Sequence, residues 1–263
     1  MTTIPYNSAP RVLPLRPLAL PSEHGGWGFL FEPLILGLLI RPSFAGTLVA
    51  LSFIFGFLAR HPLKLALQDL LRGKSYPRTR WCWMFASAYA FAGCASLAAA
   101  IALRGWPVVI PIGLVVPLGV MQLMHDANNQ SRALVAELGG AVAMSSSAAA
   151  IAIAGGMRLL PALALAGIIV ARSIPSIVYV RMLLQRAHGK VAASWPALAL
   201  HALAIALVAL FASRFAIAAM VLLFVRVAWT LARPVPPAKT IGWCEIAWGL
   251  VTVTMVAIPT IVR

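Results

Sequence analysis

The sequence predicts an all-α fold, a polytopic membrane helical bundle of about nine transmembrane helices. Three observations point to it. Hydrophobic residues make up 62% of the 263 positions and charged ones only 10%, against about 45–50% and about 25% in soluble domains. The apolar residues fall in successive runs near the ~20 residues that a helix needs to cross the hydrocarbon core. The basic residues gather in alternate loops between those runs, as the positive-inside rule expects of a membrane protein.

The elements follow in order. Residues 1–21 carry Pro5, Pro10, Pro14, Pro17 and Pro21 together with Arg11 and Arg16. They lack an uninterrupted apolar core of signal-peptide length, so a cytoplasmic Pro-rich arm is expected. Residues 22–263 are expected as a single transmembrane domain. Helix one covers 25–40 and helix two 43–60, and a polar, basic stretch at 61–80 breaks the pattern. Helix three spans 81–103, helix four 107–124, helix five 133–154 and helix six 160–182. Helix seven spans 194–211, helix eight 214–232 and helix nine 242–261. Gly-Trp-Pro at 105–107, Gly-Gly at 155–156 and Pro-Val-Pro-Pro at 234–237 mark turns.

Charge fixes the expected orientation. The 21 Lys and Arg outnumber six acids, for a net charge of +15. In a soluble chain that excess would suggest nucleic acid, which is not expected here because the basic residues lie between apolar runs. Fifteen lie on the side of the N-terminus: Arg11, Arg16, Arg60, Lys64, Arg72, Lys74, Arg78, Arg80, Arg132, Arg181, Arg186, Lys190, Arg226, Arg233 and Lys239. Five lie on the other: Arg41, Arg104, Arg158, Arg214 and Arg263. The N-terminus is therefore expected in the cytoplasm and the C-terminus outside. All six acids fall on the cytoplasmic side or on helix ends adjoining it, so chemistry is expected on that face.

The three cysteines, Cys82, Cys94 and Cys244, lie in apolar runs without CxxC or Cys/His spacing. They are expected as small buried packing residues. No P-loop, dinucleotide fingerprint, haem motif or zinc spacing occurs, and the sequence identifies neither a cofactor nor an oligomeric state.

Four clusters carry the polar residues. Pro-Ser-Glu-His-Gly-Gly-Trp-Gly at 21–28 offers Glu23 and His24 for proton handling or headgroup contact at the start of helix one. Glu32 lies about 12 Å further along, at a depth where an acid costs up to ~3 kcal/mol and marks a functional site or an internal ion pair. In the second cluster, Arg60, His61, Lys64, Gln68 and Asp69 follow helix two. Arg60, Lys64 and Gln68 would share one face if the helix continued, and that face could grip a phosphate or carboxylate. Arg72 to Arg80 are expected as a solvated loop.

The third cluster, His125 to Arg132, contains Asp126, Asn128 and Asn129 and is followed by Glu137. One carboxylate with two amides makes a weak cation site, so no metal is assigned, and Glu137 is expected to pair with a neighbouring Arg. The fourth cluster holds Arg172, Ser173, Pro175, Ser176, Tyr179, Arg181, Arg186 and His188, with Arg172 the costliest at mid-helix. A three-residue echo also recurs at helix ends: Leu-Ala-Arg at 58–60, Tyr-Val-Arg at 179–181 and Phe-Val-Arg at 224–226.

The run Pro-Ser-Glu-His-Gly-Gly-Trp-Gly-Phe-Leu-Phe-Glu-Pro-Leu at 21–34 resembles the YwiC-like family of bacterial membrane proteins. So do Phe-Leu-Ala-Arg-His-Pro-Leu-Lys at 57–64, the stretch from Asp126 to Gly140, and Tyr-Val-Arg at 179–181. The resemblance implies the bacterial inner membrane. In layout alone, nine helices with polar loops after helices two and six are similar to UbiA-type prenyltransferases, which implies a cavity open to the cytoplasm. That superfamily holds Mg²⁺ and a prenyl diphosphate on Asp-rich motifs. Here the first loop offers only Asp69 and the second, 179–190, no acid, so Mg²⁺-dependent prenyl transfer is not expected.

The expected function is that of a degenerate UbiA-like enzyme or a binder of an anionic lipid or isoprenoid-like molecule. Its acid–base candidates are Glu23, His24, Asp126 and Glu137. Its binding candidates are Glu32, Arg60, His61, Lys64, Asn129, Arg132, Arg172, Tyr179 and Arg181. Membrane lipids are the expected surroundings. Two alternatives stand beside it: a small transporter using Glu32 and Arg172, and a noncatalytic partner of a respiratory complex. The specific expectation is that Glu23, His24, Arg60, Asp126, Arg132, Glu137, Tyr179 and Arg181 converge on one cavity between helices one, two, five and six.

Overall fold

The computed structural model of the chain describes residues 15–21 and 24–261. A single turn, Arg16–Ala19, precedes nine longer helices among the described residues. They are α1 (His24–Ile40), α2 (Phe44–Leu71), α3 (Pro77–Arg104), α4 (Ile110–Ala127), α5 (Leu134–Ala154), α6 (Leu159–Ala187), α7 (Trp195–Ala209), α8 (Arg214–Leu231) and α9 (Ala238–Ile261). A 3₁₀ turn, Trp106–Val109, leads into α4. No strand occurs among the described residues. Seven helices are long and apolar enough to cross a membrane, and the apolar stretches Gly26–Ile40 and Trp195–Ala209 are shorter. The protein is a multi-pass membrane helical bundle.

Local sequence explains where the helices begin. Ser43 accepts the Gly46 amide at 2.9 Å to cap α2, and Ser213 accepts the Ala216 amide to cap α8, each satisfying an end group that lacks an intrahelical partner. Pro77 and Pro196 sit in the first turns of α3 and α7, where the missing N–H removes no bond.

The expected break after residue 60 does not occur. α2 runs on through Pro62 to Leu71, because its polar extension is held from outside. Gln68 donates to the Asp126 carbonyl at 2.8 Å. Asp69, fully buried, accepts from Arg78 at 2.7 Å and from Thr79 at 2.7 Å. Arg78 is thus no member of a solvated loop: it ties the start of α3 to the end of α2. α6 likewise continues past 182 to Ala187.

α5 is the central helix. It packs on α1, α2, α4 and α6, and the residues from Ser145 to Ala154 are all buried. Gly37 explains how α1 comes so close: a Cβ there would lie 2.8 Å from the Cβ of Ile151. Small residues at the contact are how helices approach in lipid, where no hydrophobic effect drives them together. α3 and α4 are peripheral and leave most of their apolar surface outward. α7, α8 and α9 follow one another around the bundle, and α9 closes back on α1. Cys82 is buried as expected, but Cys94 and Cys244 are exposed, which corrects the expectation for those two. On a lipid-facing surface a thiol is as well accommodated as in a core.

Candidate functional site

Apart from the Asp69–Arg78–Thr79 tie, the polar residues fall into two groups, and α1 and α6 contribute to both. The first surrounds a cavity of about 590 Å³ at the end of the bundle where α1 begins and α2, α4 and α6 end. Its charged lining is Arg60, Arg132, Glu137 and Arg181, its neutral polar lining Gln122, Ser131 and Gln185, and its apolar lining includes Phe29, Phe57, Met144 and Leu184. The helices that build it are α1, α2, α4, α5 and α6.

Two ion pairs frame the cavity. Arg60 grips Asp126 in a fork, Nε to Oδ2 at 2.6 Å and Nη2 to Oδ1 at 3.0 Å. Such bidentate, charge-assisted pairing fixes orientation as well as distance. Asp126 is fully buried while the Arg60 side chain is 24% exposed, so the base remains accessible after the acid is covered. Arg181 donates from Nη1 to Glu137 at 2.8 Å and to the Arg132 carbonyl at 2.9 Å. The guanidinium of Arg132 pairs with no carboxylate among the described residues. The hydroxyl of Ser131 is buried without a partner.

Of the residues expected to converge here, Arg60, Arg132, Glu137 and Arg181 line the cavity and Asp126 stands directly behind Arg60. Glu23 and the His24 side chain lie outside the described residues, although Gly26, two residues into α1, does line it. Tyr179 does not converge. Two positions along a helix turn the side chain by about 200°, so Tyr179 and Arg181 leave α6 on opposite sides. Tyr179 instead bonds Thr230 of α8 at 2.7 Å.

Lys64 and His61 border a small crevice beside the cavity, with Pro21, Phe57 and Arg60. His61 donates from Nε2 to the Pro17 carbonyl at 3.0 Å, holding the N-terminal turn against α2. Asn129 is exposed in the loop after α4, with φ +61°, a left-handed conformation that Asn tolerates better than most residues. It shapes the turn and lies outside the cavity lining.

The second group is buried between α1, α6, α8 and α9. Arg172 is 2% exposed and Glu32 5%, and they meet at 3.2 Å. Glu245 of α9 joins them: Arg172 donates to its backbone carbonyl at 2.8 Å, and its carboxylate lies 2.8 Å from Arg226 Nη1. The Arg226 guanidinium lies over the rings of Tyr179 at 4.7 Å and Trp248 at 5.5 Å. Glu32 and Arg172 are therefore partners of each other, away from the cavity. Sequence reasoning singled out neither Glu245 nor Arg226 as a site residue. The signal for Arg226 was the recurring helix-end triplet: all three of its arginines carry an acid from another helix, Arg60 with Asp126, Arg181 with Glu137 and Arg226 with Glu245.

No three of His, Cys, Asp and Glu gather as a metal site among the described residues. The acids that a loop-bound cation would need are already engaged, Asp69 by Arg78 and Asp126 by Arg60.

Residues 20–152, just over half of the chain, match the family described as YwiC-like protein. The chain belongs to the YwiC-like family. The match runs from the start of α1 nearly to the end of α5, so the YwiC-like part supplies Arg60, Asp126, Arg132 and Glu137 of the cavity. Arg181 and the cluster residues Arg172, Arg226 and Glu245 lie beyond it. No curated protein and no solved structure matches the chain.

Proposed function

We propose that this YwiC-like protein resides in the bacterial inner membrane and binds the anionic headgroup of a lipid or isoprenoid-like molecule in its cavity. The observation that carries the reading is the balance of charge around that cavity. Three guanidiniums meet two carboxylates, and both carboxylates are taken by Arg60 and Arg181. Arg132 is left as surplus positive charge beside the unpartnered Ser131 hydroxyl. An acceptor-rich anion such as a phosphate or carboxylate complements that set, and Phe29, Phe57, Met144 and Leu184 suit an apolar remainder.

The distribution of basic residues supports a cavity that opens to the cytoplasm, with the N-terminus on the same side and the C-terminus outside. Toward the other end, the buried run from Ala148 to Ala154 favours a closed pocket over a path through the membrane. Binding is better supported than acid–base catalysis, because neither Asp126 nor Glu137 is free of a guanidinium.

The test is thermal stabilisation of the detergent-solubilised protein by an isoprenyl monophosphate, compared with the uncharged isoprenol of the same chain length. The phosphate raises the melting temperature and the alcohol does not. Equal stabilisation by both, or by neither, contradicts the proposal.

A further inference from the structure

The cluster around Arg172 lies outside the cavity, and three features distinguish it from a merely structural ion-pair network. It is deep: Arg172 sits about 20 Å from either end of α6, and ionisable groups at that depth mark function more often than stability. It is incompletely satisfied. Among the described residues seven buried side-chain atoms lack a hydrogen-bond partner, and six belong here: Arg172 Nε, Ser176 Oγ, His201 Nε2, Arg226 Nε and Nη2, and Glu245 Oε2. A network selected only to hold helices together would be expected to use its donors. It is also lopsided. Glu32 Oε1 at 3.2 Å and Glu245 Oε2 at 3.6 Å both rest on one nitrogen, Nη2 of Arg172, while Arg226 leaves two donors unused.

We propose that this cluster is a proton-binding site within the bundle, with the Glu32 carboxylate as the group that takes the proton. Two carboxylates drawn onto one guanidinium nitrogen repel each other, and adding a proton to one removes the repulsion. Glu32 is the one because, among the described residues, its one ion pair is the 3.2 Å contact with Arg172, whereas Glu245 also holds Arg226 at 2.8 Å. Uptake forms one O–H bond on Glu32 with a proton from solvent, and no other bond is made or broken. The cluster passes from two positive and two negative formal charges to a net charge of +1, and Arg172 is left to Glu245.

The charged groups that act on Glu32 are Arg172 and Glu245; Arg226 on α8, Tyr179 on α6 and His201 on α7 stand beyond them, with Arg226 on Glu245 and over the Tyr179 ring and His201 edge-on to Tyr179. α2 and α5 also pack near α1, but they carry Arg60 and Glu137 into the cavity instead. Gly249 of α9 gives the carboxylate its room, since a Cβ there would collide with Glu32 Oε1.

The experiment is infrared difference spectroscopy of the full chain in phosphatidylcholine nanodiscs, titrated from alkaline to acidic buffer. The proposal expects a reversible protonated-carboxyl carbonyl band that shifts in D₂O, is lost in Glu32→Gln and persists in Glu137→Gln. Gly249→Ala, which displaces the carboxylate without removing it, is expected to move the midpoint of that band, and it keeps the test open should Glu32→Gln fail to fold. A band that survives Glu32→Gln, a midpoint indifferent to Gly249→Ala, or no band at all overturns the proposal. None of these results depends on the cavity or on an anionic ligand.

Discussion

Arg60 at the middle of α2 holds Asp126 at the end of α4 through two short bonds, and the same Asp126 receives Gln68 on its carbonyl. One residue thereby ties α2 to α4 at two points about two turns apart and sets the mouth of the cavity. Asp126→Asn keeps the shape and removes the charge. It should destabilise the fold by about 2 kcal/mol, a value between exposed and fully buried pairs because Arg60 remains partly exposed. Thermal melts in detergent read this directly.

Arg132 should behave in the opposite way. It has no carboxylate partner among the described residues, so Arg132→Gln should leave the melting temperature of the unliganded protein within a degree or so. Affinity for an anionic amphiphile should fall roughly tenfold, the equivalent of about 1.4 kcal/mol. Arg80→Gln, outside the cavity, should change neither quantity.

Arg78 separates structural from ligand-binding roles. Its removal leaves Asp69 buried and unpaired, so Arg78→Gln should lower thermal stability measurably. The affinity of the folded fraction for an isoprenyl phosphate should stay unchanged. A loss of affinity without a loss of stability would place Arg78 at the ligand.

Much of the fold was legible in the sequence, because apolar runs separated by polar turns define helices in lipid almost by themselves. The ends were less legible. α2 runs eleven residues past the expected break at 60, since its polar tail is stabilised by partners on α3 and α4 that no local pattern reveals. For the site, helix-end arginines and scarce acids identified Arg60, Asp126, Arg132, Glu137 and Arg181 as neighbours. Tyr179 stands beside Arg181 in sequence, but helical geometry sends the two apart and Tyr179 turns to Thr230. In the sequence Glu245, one of six acids, has no local partner, and its pairing with Arg172 and Arg226 depends on how α9 returns to α1 and α8.

Divalent cations should be dispensable. With Asp69 and Asp126 both held by arginines, chelation of Mg²⁺ should leave binding of an isoprenyl monophosphate unchanged in calorimetry. A strict requirement for Mg²⁺ would mean that these carboxylates exchange their arginines for a metal.

Orientation is tested by topology reporters. Fusions after Lys74 and Lys190 should report the cytoplasm, and a fusion at Arg263 the outside. A cytoplasmic reading at Arg263 would contradict nine crossings and turn attention to the two shorter helices, α1 and α7.

The central claim is that the cavity holds an anionic amphiphile by its surplus of guanidinium. Native mass spectrometry of protein gently extracted from membranes tests it most directly. The wild type should retain a phosphate- or carboxylate-bearing lipid or isoprenoid, and the folded fraction of the Arg60→Gln/Arg132→Gln double variant should lose it. Retention of the same molecule by the double variant, or retention of only uncharged and zwitterionic lipids by the wild type, would contradict the account.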